Sequence, residues 1–116
     1  MTILRFIVKA NGIYDILCAL CILKIINIPI LKDLHLLVIK NYSGNNNLFE
    51  RFYAYWIFTY GIIRLSNNNI WISYSYFIEA IFFTNEYINN SVYKDKVMFI
   101  IISSIILGFA CMRYKI

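Results

Sequence analysis

Four apolar stretches, each close to the length that crosses a hydrocarbon core, take up most of this 116-residue chain. They run over about 3–26, 48–65, 70–88 and 97–114. A chain with so little polar sequence cannot hide its apolar side chains inside one water-facing shell. Hydrophobic residues make up 61% and charged residues 15%, and the mean hydropathy is +0.66. The expected fold is therefore all-α, a four-transmembrane-helix bundle forming one integral membrane domain over 1–116. Many of the ten Tyr stand near segment ends, where interfacial anchors belong.

The links set the topology. Segment one, Ile3 to Ile26, shows no small-residue cleavage site and carries Asp15, so it is expected to stay in the membrane. Asn27 and Pro29 end it. The piece from Ile30 to Lys40 mixes Leu34, Leu37, Val38 and Ile39 with Lys32, Asp33, His35 and Lys40, which predicts a short interfacial helix between spans one and two. "NYSGNNN" over 41–47 is turn chemistry, and Ser66 to Asn69 forms a second, tight turn. Both chain ends then fall on one side, and the Lys and Arg count on the two sides is too even to orient the bundle.

The net charge of +5 does not make this a nucleic-acid protein, because the basic residues flank apolar segments and form no stripe with exposed aromatics. Membrane lipids account for it. His35 is the only histidine, which excludes a multi-histidine metal centre, and no cofactor or catalytic motif is present. Cys18 and Cys21 form a C-x-x-C inside segment one, but only Cys111 remains to relay electrons, so small-residue packing is expected of them.

Charges at membrane depth carry the functional clues, since each is expensive unless satisfied. Asn11 and Asp15 lie one turn apart on one helix face, and Gly12 beside them permits a neighbouring helix to come close. Counting outward from the second turn places Arg51 opposite Glu86, predicting an ion pair near one surface, and leaves Arg64 to snorkel toward the other. Glu79 falls near mid-depth, level with Asp15. The candidate polar site is thus Asn11, Asp15, Tyr55, Thr59 and Glu79. It suits a proton, a cation or a lipid hydroxyl, or else merely fastens helices together.

In segment two, Arg51, Trp56 and Arg64 stand within "RFYAYWIFTYGIIR", followed by an acidic-ended third segment and a final "SIILGFACMRY". This pattern resembles the ergosterol-biosynthesis scaffold family, four-span proteins of the endoplasmic reticulum that tether the sterol C-4 demethylation enzymes. The resemblance covers roughly the latter two-thirds of the chain, and Phe82 or Phe83 stands where the family usually has a histidine. It implies a shared framework of Arg51, Trp56, Arg64, Glu86, Gly108 and Arg113, and an endoplasmic reticulum location. The expected role is a non-catalytic scaffold docking other integral membrane proteins. The alternative is a lipid or sterol binding protein, isomerase-like in using Asp15 and Glu79 as paired acids.

Overall fold

The computed structural model describes residues 3–40, 42 and 46–114, without the side chain of Lys32. It is all-α: α1 (Ile3–Ile22), α2 (Pro29–Leu34), α3 (Asn47–Leu65), α4 (Asn69–Ile88) and α5 (Lys94–Arg113). A single 3-10 turn, Leu36–Val38, follows α2, and no strand forms among the described residues. Most of the turn expected over 41–47 lies outside the described residues.

Each long helix starts or stops for a local reason. The Asn46 side chain accepts from the Phe49 N–H at 3.0 Å and opens α3, while Asn68 accepts from the Ile70 and Trp71 N–H groups and opens α4. Pro29 sits in the first turn of α2, where its missing N–H is harmless. α1 ends at Ile22 and not at the expected Ile26, because Lys24 adopts a left-handed φ of 65°. There Ile25 N–H donates to Leu20 and Lys24 N–H to Cys21, the paired bonds of a Schellman stop. Asn90, at φ 61°, ends α4 the same way through Ser91 and Glu86. α5 begins earlier than expected, at Lys94, with Asp95 favourably placed in its first turn.

The long helices alternate in direction, and the closest packing joins α1 to α3 and α4 to α5. Gly12 and Gly61 face each other where α1 and α3 meet, as the small residue at position 12 predicts. A Cβ on Gly61 would lie 2.6 Å from Ile16 Cγ1 and 2.9 Å from the Gly12 carbonyl oxygen. At the α4–α5 contact, the Ser73 hydroxyl donates to the Gly108 carbonyl at 2.7 Å, and Phe77 fills the space a Cβ there would need. Apolar clusters lie above and below: Ala19, Ile22, Tyr53, Ala54 and Ile57 at one level, and Val8, Ile72, Tyr76 and Cys111 at the other. The three cysteines are free and buried, in keeping with a packing role.

The link between α1 and α3 is not a plain surface helix. Ile39 bridges Val92 in antiparallel fashion, with Lys40 N–H bonding Ser91 at 2.9 Å and Tyr93 N–H bonding Val38 at 2.8 Å. The link is thereby tied across the bundle to the connection between α4 and α5. This carries His35 inward, and Tyr53 holds its backbone carbonyl at 2.9 Å.

Candidate functional site

Arg64, in the last turn of α3, is 1% exposed and gathers side chains from the neighbouring long helices. Its Nη1 donates to Asp15 Oδ2 at 2.7 Å and to Asn11 Oδ1 at 2.9 Å, both on α1. Its Nη2 donates to Glu79 Oε1 at 3.3 Å and its Nε to Ser75 Oγ at 3.2 Å, both on α4. Ser104 of α5 donates to the same Glu79 oxygen at 2.8 Å. The guanidinium also lies over the Tyr76 ring at 3.9 Å and the Tyr60 ring at 4.8 Å, and Tyr76 donates to Asn11 at 3.0 Å. One side chain therefore joins the α1–α3 pair to the α4–α5 pair.

The expected snorkelling of Arg64 toward a surface is overturned, and helix geometry gives the reason. Side chains lean toward the N-terminus of their own helix, so an arginine in a last turn points back into the bundle and away from the nearby end. Lys9 completes the arrangement by donating to the Arg64 carbonyl at 3.3 Å and to the Ser66 carbonyl, covering bonds the helix end leaves open.

His35 brings its Nε2 to 3.8 Å from Asp15 Oδ1, too long for a hydrogen bond, with the Tyr14 and Tyr53 rings against it. Burial, and then the nearby Arg64 charge, push its pKa from 6.5 down to about 4, so the ring is neutral at pH 7. The sequence places His35 on an interfacial helix, and the structure turns it half-buried toward Asp15. The antiparallel bridge at Ile39 pulls this link onto the bundle.

The proposed polar site is brought together only in part. Asn11, Asp15 and Glu79 converge, but the space between the two carboxyls is filled by a guanidinium. Tyr55 and Thr59 are exposed on the opposite face of α3, where Thr59 bonds its own helix at the Tyr55 carbonyl. The expected Arg51–Glu86 ion pair does not form. Arg51 is exposed, and Glu86 accepts from the Ser91 hydroxyl at 2.8 Å. Counting depth along two helices places residues at one level but says nothing of their rotation. Gly108 serves helix contact, and Arg113 is exposed beside the Tyr114 ring.

Trp56 occupies a different place. Its ring lies 6.1 Å from Phe82 and 5.8 Å from Phe83, across from α3 to α4. It lines a groove of about 610 Å³ that also includes Phe52 and ends at Glu86 and Ser91. This groove was missed because aromatics surround segment two on nearly every face, so their spacing alone does not single out a side. Among the described residues, no cluster of His, Cys, Asp and Glu is suited to a metal ion. No family model, no curated protein and no solved structure matches the chain.

Proposed function

We propose that this chain is a four-span integral membrane protein that works without catalysis, as a scaffold docking partner membrane enzymes through its outer helix faces. The observation that carries the reading is the distribution of polarity. Outward-facing positions such as Phe6, Phe58, Ile81, Phe99, Ile106 and Phe109 are apolar and exposed, while Asp15, Arg64, Ser73, Ser75 and Ser104 are buried. Water-soluble helices show the reverse, and a bundle in lipid keeps polar groups and small residues for its helix contacts.

One helix, α5, is long and apolar enough to cross a membrane on composition alone. The other three carry charges, and these charges support the reading. In α1, Lys9 caps α3 and Asp15 is paired. In α3, Glu50 is bonded by Tyr42, Arg51 lies near the same end and Arg64 is paired. In α4, Glu79 is paired and Glu86 lies in the last turns. The long helices have 19 or 20 residues, a span of about 30 Å at the helical rise.

Asp15 and Glu79 both bind Arg64, which leaves neither as a free acid or base and favours scaffolding over isomerase-like chemistry. The resemblance of segments two to four makes sterol-processing enzymes of the endoplasmic reticulum the first partners to seek. Tagged protein should resist alkaline carbonate extraction and, in mild detergent, co-purify with an integral membrane enzyme. Recovery of lipid alone would count against docking. A second reading, lipid binding, is favoured by one observation, the open aromatic groove beside Trp56.

A further inference from the structure

The groove between α3 and α4 opens sideways and ends on polar groups. Phe52, Trp56, Phe82 and Phe83 line it as one aromatic surface, the Trp56 ring packed on the Phe82 and Phe83 rings, with Ile39 and Val92 beside them. At its end Glu86 is half-buried, with Oε2 accepting from Ser91 Oγ at 2.8 Å. No described residue donates to its Oε1. The Ser91 hydroxyl and the Ser91 N–H are both already directed at Glu86 oxygens, and Asn85, which also lines the groove, carries an amide that can donate, so a group that both donates and accepts fits this end.

These features select a ligand class. A carboxylate at the polar end repels fatty acids and anionic lipids, and it attracts a hydroxyl that can donate. A volume of about 610 Å³ suits one compact hydrophobic body and not a two-chain phospholipid. Flat aromatic walls favour a rigid or extended body lying against them. We propose that the groove binds a neutral lipid with one hydrophobic body and one hydroxyl, the hydroxyl donating to Glu86 and the body lying against the Trp56 and Phe82 rings. The proposal rests on the membrane placement and the lipid-binding reading above, and it is independent of partner docking.

The test uses the full chain in dodecyl maltoside, titrated with dehydroergosterol, a fluorescent sterol that accepts energy from tryptophan. Trp71, exposed on the outer face of α4, is first replaced in a Trp71→Phe background so that Trp56 alone reports. Saturable transfer is expected, reversed by cholesterol or by oleyl alcohol and not by oleic acid. Reversal by cholesterol alone identifies a sterol as the source, and equal reversal by oleyl alcohol identifies any single-chain alcohol. Glu86→Gln should weaken binding about tenfold, the loss expected for a bond to a charged acceptor. Phe82→Ala, at an exposed wall position, should weaken it several-fold and serves if the first variant misfolds. Absence of saturable transfer, equal competition by oleic acid, or unchanged affinity in folded Glu86→Gln would overturn the proposal. Carbonate extraction reports separately on the membrane reading: a protein retained in the membrane that binds no probe defeats the groove assignment alone.

Discussion

α3 and α4 meet differently at their two ends. Beside their connecting turn, the gap is filled by Arg64, its two carboxylate partners and the Tyr60 and Tyr76 rings, and the end is closed. At the far end, Trp56 packs on Phe82 and Phe83 beside an open groove, and the nearby charges Arg51 and Glu86 do not pair. The contrast shows that ionic groups do not draw these helices together wherever they occur. They do so where a long side chain leans inward and meets its partners away from the surface. At the open end the arginine is exposed and the carboxylate is met by its own loop.

The comparison breaks most decisively at the closed end. Arg64→Met should strand the buried Asp15 carboxyl and the half-buried Glu79 carboxyl and lower stability by about 3–5 kcal/mol, read as a collapse of the thermal midpoint in detergent. Gly61→Ala should come next, at about 1–3 kcal/mol, since its Cβ meets the Gly12 carbonyl and Ile16 where α1 and α3 touch. Retention of the wild-type midpoint in Arg64→Met would mean that the closed end is not what holds the two helix pairs together, and retention in Gly61→Ala would mean that the α1–α3 contact yields without cost.

Acid sharpens the comparison further. His35 has its pKa lowered to about 4 in the folded protein, so the unfolded chain takes up a proton first as pH falls below 6.5. Its contribution is complete above about pH 6.5 and is lost progressively as pH falls toward 4. Between pH 7 and pH 5 the stability of the protein relative to its His35→Gln variant should fall by about 2 kcal/mol, read from urea titrations of both in detergent at the two pH values. The smallest effect belongs to the open end. Arg51→Ala should shift stability by less than about 0.5 kcal/mol, because the side chain is exposed and makes no ion pair with Glu86. A larger loss would mean that the two charges meet after all.

Much of the fold was legible from local chemistry. α3 and α4 start and end within a residue of their expected bounds, because Asn46, Asn68 and the polar turn between α3 and α4 are strong local punctuation. Gly12 was readable as a contact point, and Asp15 and Glu79 were readable as groups in need of partners. The α1 end at Ile22 was not, because a lysine in a left-handed conformation leaves no compositional mark. Nor was the closed site. Arg64 looked like a flanking charge, and nothing in the spacing of Ser75 or Ser104 marks them as part of its network.

Composition and spacing determined that this chain forms long helices with apolar flanks, and that its few internal charges must be satisfied. Which partner satisfies which charge was decided only in three dimensions. Segments that are apolar on nearly every side lack the one-sided stripe that tells a reader which face turns inward. Helix rotation, and with it the meeting of Arg64 with Asp15 and Glu79 and the failure of Arg51 to meet Glu86, follows from glycine contacts and side-chain direction. Both exist only once the helices are packed.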